Sequence, residues 1–275
     1  MIKLNGQVVG KHSFPDGTKR FIKEDFDRIN RGYEGNDITW TYEDDEEMVT
    51  VMFLKKHLDS LGLVNTTLQM PYIPNARMDR VKTKYDVFTL KYFADFINSL
   101  NFSSVVVADP HSYASELLIN NLEILGPEEG ITIAFNDIKE KYGEDIILFY
   151  PDEGAMKRYS SEIAIPYCFG VKNRDWETGK ILGLQVVGDV ESIKGKTVLI
   201  VDDICSRGGT FFYAAKELRA LGAKNICLHV THCENTIHEG ELLNSGFINH
   251  IYTSDSILTK GHQKITIYNW EELYG

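Results

Sequence analysis

Short apolar runs alternate with segments of helical period along much of the chain. Residues 67–73 and 104–108 are predicted strands, and the segment between them repeats its apolar residues with the period of a helix. One face of that helix carries the residues that we expect to pack into the core: Tyr85, Phe88, Tyr92, Phe93, Phe96, Ile97 and Leu100. Strands that alternate with helices are typical of an α/β fold with mainly parallel sheets.

A second round of the same alternation begins at residue 146. The predicted strands cover residues 146–150, 165–171, 197–201, 226–230, 250–253 and 264–268, and the predicted helices cover residues 154–163 and 211–221. Lys, Glu and Gly dominate residues 136–145. This composition places the predicted domain boundary there and gives domains of residues 1–140 and 141–275.

The apolar strand at residues 197–201 leads into a segment with the chemistry of a sugar-phosphate site. Its polar and glycine residues are Asp202, Asp203, Ser206, Arg207, Gly208, Gly209 and Thr210. The two carboxylates can accept hydrogen bonds from vicinal ribose hydroxyls or hold the water shell of a metal. The glycines let backbone N–H groups approach a phosphate, and the following helix directs the positive end of its dipole at the same anion. The alternative is an acidic turn before a glycine-rich helix start that binds nothing.

Composition narrows the class of protein. The chain has 275 residues, of which 43% are hydrophobic and 25% charged, as expected for a globular protein with a core. Its net charge of −11 disfavours nucleic acid and anionic membranes as partners, so a polyphosphate ligand needs local cations. The four cysteines form no C-x-x-C pair, and no apolar run approaches the roughly 20 residues that span a bilayer. We therefore expect a cytoplasmic protein without a disulfide framework or a zinc site.

The segment at residues 202–210 resembles the phosphoribosyl pyrophosphate motif that type I phosphoribosyltransferases share with ribose-phosphate pyrophosphokinases. Five further segments resemble motifs of the pyrophosphokinases and occur in that family's order. They are residues 14–18 (Phe-Pro-Asp-Gly-Thr), 71–80 (Pro-Tyr-Ile-Pro-Asn-Ala-Arg-Met-Asp-Arg), 108–111 (Ala-Asp-Pro-His), 150–158 (Tyr-Pro-Asp-Glu-Gly-Ala-Met-Lys-Arg) and 171–174 (Val-Lys-Asn-Arg). The N-terminal motifs favour the pyrophosphokinases, because simple phosphoribosyltransferases are not expected to carry them.

The resemblance implies two phosphoribosyltransferase-like α/β domains, each with a mainly parallel sheet flanked by helices, in a homo-oligomer that is at least a dimer. The implied reaction uses ATP and Mg²⁺ and moves the β,γ-diphosphate of ATP to the anomeric 1-hydroxyl of ribose 5-phosphate, with AMP as the second product.

The resemblance also implies roles for individual residues. The N-terminal domain would bind ATP through Phe14, Asp16, Arg77 and Asp79, and His111 and Asp152 would ligate or orient the metal. Lys172 and Arg174 would be the catalytic cations, on a loop that closes over the phosphates. Asp202 and Asp203 would hold the ribose hydroxyls, and Ser206, Arg207, Gly208, Gly209 and Thr210 would hold the 5′-phosphate.

Departures from the family pattern leave alternatives open. Arg207 stands where the family usually has a threonine, after a serine that replaces an acid, and Thr18 and Met78 replace residues expected near adenine. An arginine there suits a second phosphate, so ADP-ribose is the alternative acceptor, as in some short phage-type relatives. A phosphoribosyltransferase that consumes phosphoribosyl pyrophosphate is the second alternative. A regulatory subunit without catalysis is disfavoured because the expected catalytic residues are present.

Overall fold

The chain folds into two units, residues Met1–Leu125 and Gly126–Gly275. The computed structural model describes residues 1–32, 35–161, 163, 165–174 and 181–274, with the side chains of residues 172–174, 181–183 and 274 outside the description. All four cysteines are buried free thiols. Within the described ranges, no helix combines the length and apolar character that crossing a membrane requires.

The first unit is built on a six-stranded sheet with the order β2-β1-β5-β6-β7-β8, beside a separate two-stranded ribbon of β3 and β4. Strands β5 to β8 run parallel, and β1 and β2 form an antiparallel edge. The strands are Ile2–Leu4 (β1), Gln7–Val8 (β2), His12–Ser13 (β3), Lys19–Arg20 (β4), Asn36–Trp40 (β5), Thr66–Gln69 (β6), Ser104–Ala108 (β7) and Leu122–Leu125 (β8). The helices are Glu47–Ser60 (α1), Thr89–Ser99 (α2) and Ala114–Leu118 (α3), with a 3₁₀ turn at Lys23–Phe26.

Helix α2 contributes part of its predicted apolar face to the core of this unit. Phe93, Ile97 and Leu100 are buried, but Tyr85 and Tyr92 are 81% and 60% exposed. The prediction that the whole stripe packs inside was therefore wrong for these two tyrosines. The helix begins at Thr89, so Tyr85 lies before its first turn, and each tyrosine keeps its hydroxyl end in water.

The second unit is built on a seven-stranded sheet with the order β11-β10-β9-β12-β13-β14-β15. All neighbours are parallel except the β10–β11 hairpin. The strands are Ile146–Tyr150 (β9), Tyr167–Arg174 (β10), Ile181–Val187 (β11), Thr197–Cys205 (β12), Asn225–Cys233 (β13), His250–Ser254 (β14) and Ile265–Tyr268 (β15). The helices are Glu128–Tyr142 (α4), Glu153–Tyr159 (α5), Gly209–Ala220 (α6) and Trp270–Tyr274 (α7), with 3₁₀ turns at Val190–Ile193, Asn235–Glu239 and Leu242–Asn244.

Strand β12 is apolar on both faces because helices cover the sheet on both sides. Val198 and Ile200 belong to the core that includes α6, and Leu199 and Val201 belong to the core that includes α4. A parallel sheet buried in this way requires continuous apolar runs, which is the pattern that predicted the strand. The prediction of α/β units with mainly parallel sheets is confirmed.

The division between the units differs from the predicted boundary at residue 140. Helix α4 spans that position and belongs entirely to the second unit. Ile131, Ala134 and Ile138 are buried on its inner face, so the Lys- and Glu-rich composition that suggested a linker is the solvated face of an amphipathic helix.

Candidate active site

The phosphate-binding candidate lies where β12 ends and α6 begins. Gly208 has a φ of +77° and precedes the first residue of α6, a backbone conformation that favours glycine. A Cβ added at Gly209 would meet nothing within 4 Å, so the backbone there is open to a ligand. The first turn of a helix presents N–H groups without intrahelical partners, which makes residues 206–210, the cradle hereafter, suited to an anion.

Three carboxylates gather beside the cradle. Strands β9 and β12 are parallel neighbours, and Asp152 follows β9 as the N-cap of α5, where it accepts a hydrogen bond from the Ala155 amide at 3.0 Å. Asp203 is buried, and its amide donates to Asp202 Oδ1 at 3.0 Å. Burial, followed by the negative charges of Asp203 and Asp152, raises the pKa of Asp202 well above its usual range. The cluster therefore attracts a cation or hydroxyl donors.

Arg158 joins this cluster from α5. Its guanidinium lies 3.7 Å from Asp203 Oδ2 and 5.5 Å from the centroid of the Tyr159 ring. Arg158 is part of the motif at residues 150–158, but no role was predicted for it from the sequence. Its place in that motif was the available signal in the sequence.

The β10–β11 hairpin projects from the same edge of the sheet as Asp152. Strand β10 follows β9 as far as Phe169 opposite Tyr150, then continues with β11 to Arg174. Lys172 lies opposite Leu184 in that extension. The backbones of Lys172 and Arg174 are therefore beyond the carboxyl end of β9, while their side chains lie outside the described residues.

Arg77, Asp79 and His111 lie in two neighbouring loops of the first unit. These loops follow the parallel strands β6 and β7, and they are joined by the Ala108 amide, which donates to the Pro71 carbonyl at 3.1 Å. Arg80 donates to Asp79 at 2.8 Å and 3.1 Å. Arg80 first, then Ser112 and His111, lower the pKa of Asp79. The structure thus brings Asp79 and His111 together, with Asp79 already paired to Arg80.

Phe14 and Asp16 lie in the turn that joins β3 to β4 in the two-stranded ribbon, apart from these loops in the chain. Phe14 is 51% exposed, and the Arg20 guanidinium lies 5.7 Å from its ring centroid. Asp16 accepts hydrogen bonds from the Thr18 hydroxyl at 2.7 Å and the Thr18 amide at 3.0 Å, which lower its pKa. The ribbon therefore presents an exposed aromatic ring beside a cation, a surface suited to stacking.

The two residues predicted to bind the metal belong to different units, His111 to the first and Asp152 to the second. In the part of the chain that the structure describes, no three His, Cys, Asp or Glu side chains are grouped to hold a metal ion. Asp202 and Asp203 nevertheless offer one pair of adjacent carboxylates, and Asp152 follows the neighbouring strand at the same sheet edge. Magnesium typically takes one or two carboxylates and fills its remaining positions with water and substrate phosphates, so this donor set fits it.

Comparison with known proteins identifies the family. The model of the phosphoribosyl transferase domain matches residues 129–244, which include the cradle. A ribose-phosphate pyrophosphokinase from Pyrococcus abyssi is 32% identical over 224 residues, covering 80% of this chain and 74% of that protein. The chain belongs to the ribose-phosphate pyrophosphokinase family. A second member, from Sulfolobus acidocaldarius, is 28% identical over 283 aligned positions, 99% of this chain and 90% of that protein.

The fold agrees with this membership. A solved phosphoribosylpyrophosphate synthetase from Mycobacterium smegmatis superposes with a TM-score of 0.66 at 21% identity, covering 80% of this chain and 72% of that one. The predicted fold of two phosphoribosyltransferase-like domains and the predicted enzyme class, an ATP-dependent diphosphotransferase, are confirmed. In this chain Asp202 and Asp203 precede the cradle at the end of β12, and Arg207 lies within it.

Proposed function

We propose that this protein transfers the β,γ-diphosphate of ATP to the anomeric 1-hydroxyl of ribose 5-phosphate, giving phosphoribosyl pyrophosphate and AMP. The observation that carries the proposal is the shared sheet edge, where the cradle, the carboxylates and the Lys172-bearing hairpin all emerge from parallel strands. Relatives named as pyrophosphokinases along 80–99% of the chain favour this reaction over one that consumes phosphoribosyl pyrophosphate.

In the proposed reaction, residues of the second unit hold the acceptor. Backbone amides of the cradle bind the 5′-phosphate, and Asp202 and Asp203 accept hydrogen bonds from the ribose hydroxyls. This pairing orients the 1-hydroxyl, and fixed orientation is a large part of catalysis in phosphoryl transfer. Lys172 and Arg174 neutralise the charge that develops on the transferred diphosphate and the leaving AMP.

Residues of the first unit hold the donor in this proposal. The exposed Phe14 ring stacks on adenine, with Asp16 beside it, while Arg77 and Asp79 orient the nucleotide. His111 in this unit and Asp152 in the second unit would each ligate or orient Mg²⁺, which would neutralise part of the polyphosphate charge. The division of labour assigns ATP to the N-terminal domain and ribose phosphate to the C-terminal domain, in a homo-oligomer of at least two copies.

Chromatography of reactions with ATP, Mg²⁺ and ribose 5-phosphate tests the proposal directly. We expect AMP release that depends on the acceptor, and a ³¹P spectrum with a diphosphate on C1 of the ribose. Lys172→Ala should lower kcat by about 10²–10³-fold, whereas Lys157→Ala, which removes an exposed partner of Glu153, should leave kcat unchanged. Absence of AMP release with every acceptor would refute the reaction.

ADP-ribose is the second candidate acceptor, because Arg207 adds a cation to the cradle. Its side chain is 70% exposed and pairs with the exposed Glu239, so a further phosphate can reach it from solvent. Replacing ribose 5-phosphate with ADP-ribose in the same assay decides between the acceptors. A kcat/KM for ADP-ribose above that for ribose 5-phosphate would make it the preferred substrate.

A further inference from the structure

The segment after β13, residues 234–242, packs along the cradle, and we call it the brace. The Glu234 amide donates to the Cys205 carbonyl at 2.8 Å, which extends the contact between β12 and β13. Further along, a Cβ added at Gly240 would lie only 1.9 Å from the Arg207 carbonyl oxygen. The two backbones are therefore in direct contact at the residue that carries the cradle's cation.

Side chains keep the brace in register with the cradle. Thr236 donates to Glu234 Oε2 at 2.9 Å, and its hydroxyl oxygen lies 3.3 Å from that of Ser206. Behind the brace, Asn235 Oδ1 accepts from the amides of Thr259 and Lys260, each at 3.1 Å. The brace is thus anchored on both sides and cannot slide along the cradle without breaking these contacts.

This register places Glu239 opposite Arg207. The Arg207 guanidinium donates to Glu239 Oε2 at 2.9 Å, and the two side chains are 70% and 59% exposed. Arg207 is the only cationic residue among positions 206–210 of the sequence. The brace therefore places the carboxylate of Glu239 against Arg207, the cationic side chain with which the cradle can hold an anion.

We propose that Glu239 is a specificity-determining residue that occupies Arg207 and withholds its charge from acceptors with a single phosphate. Exposed ion pairs contribute only about 0.2–1 kcal/mol, so the pair opens at small cost. A dianionic phosphomonoester bound by the backbone amides leaves Arg207 on Glu239. A diphosphate-linked acceptor presents a second anionic group, which competes with the carboxylate for the planar guanidinium.

The role of Glu239 rests on the proposed function, and substitution at Glu239 tests it in the full-length enzyme. Glu239→Gln keeps the shape of the side chain and removes its charge, and Glu241→Gln removes another exposed charge two residues away as the control. We expect Glu239→Gln to lower the KM for ribose 5-phosphate by about 2–5-fold with kcat unchanged, the equivalent of a lost surface pair. The decrease should shrink at high ionic strength, because the freed guanidinium acts on the phosphate by charge.

A double-mutant cycle separates this role from a structural one. In an Arg207→Gln background, Glu239→Gln should change the KM no more than Glu241→Gln does. A parent enzyme that is inactive with both ribose 5-phosphate and ADP-ribose refutes the proposed function. An active parent whose Glu239→Gln variant shows an unchanged or raised KM overturns the role of Glu239 alone, since the carboxylate then leaves Arg207 unaffected or positions it for binding.

Discussion

Substitutions at two glycines of the second unit, Gly240 and Gly209, test two different properties of the cradle. The first tests how closely the brace packs against it, and the second tests how much space it leaves for a ligand. Gly240 has an extended backbone, with φ −88° and ψ 172°, so alanine meets no conformational penalty there. Its Cβ, however, would lie 1.9 Å from the Arg207 carbonyl oxygen, where real Cβ contacts are not below 3.0 Å. The brace and the cradle must therefore separate by about 1 Å. Such overpacking costs about 1–3 kcal/mol.

That energy gives a measurable melting shift. For a unit of residues 126–275, each kcal/mol lowers the melting temperature by about 2–4 °C, so Gly240→Ala should melt roughly 2–12 °C below the parent. A 1 Å displacement of the cradle should also lower kcat/KM by about 10²-fold. Gly209→Ala is the matched variant, because its Cβ meets nothing within 4 Å at the start of α6.

We expect Gly209→Ala to melt at or above the parent temperature, since alanine is the better helix former, by up to about 0.8–1 kcal/mol inside a helix. Its methyl group should nevertheless occupy space above the cradle and raise the KM for the phosphorylated acceptor. Scanning calorimetry and initial rates of AMP formation measure both effects. A Gly240→Ala variant that melts with the parent would refute the close packing of brace and cradle.

Two further predictions concern charge in the second unit. The raised pKa of Asp202 means that its stabilising, protonated form is fully present below about pH 4 and is lost as pH rises through the folded-state pKa. Asp202→Asn should therefore raise the free energy of unfolding at pH 8 by about 0.5–2 kcal/mol, with no gain near pH 4, and lower kcat/KM about 10–100-fold. Urea unfolding at both pH values and kinetics with the acceptor measure these effects. An equal gain in stability at both pH values would exclude charge as the cause. His229 is buried with Nδ1 unpartnered, and burial lowers its pKa to about 3, so its neutral form stabilises the fold above pH 6.5 and the effect is lost as pH falls. Between pH 7 and pH 5 the parent should lose about 2 kcal/mol of unfolding free energy through His229, and His229→Leu should abolish that loss, measured as the shift in urea midpoint. A loss of the same size in the variant would contradict a neutral His229.

Local patterns predicted the parts of the fold that depend on neighbouring residues. Strands β7 and β9 have the predicted bounds, because each is a short apolar run closed by polar residues. The cradle was visible for the same reason, since the acids before it, its glycines and the start of the helix are contiguous in the sequence. Periodicity could not show that Tyr92 faces water, because a helix stripe wider than the buried contact looks the same in sequence.

Contacts between distant segments could not be predicted in this way. Arg158 meets Asp203 only because β9 and β12 are adjacent strands, and Glu239 meets Arg207 only because β12 and β13 are. No spacing rule connects residues 32 positions apart. That the side chains of Lys172 and Arg174 face the cradle stays a prediction.

The β12–β13 ladder holds from Thr197 opposite Asn225 to Cys205 opposite Cys233, so the loop that leaves one strand takes its form from the end of the other. Transplanting residues 202–210 alone into a foreign sheet would transfer the sequence of an anion-binding loop without the neighbouring strand that fixes its conformation. A functional graft must include the ends of both β12 and β13. Redesign of the acceptor pocket must likewise vary both strand ends together.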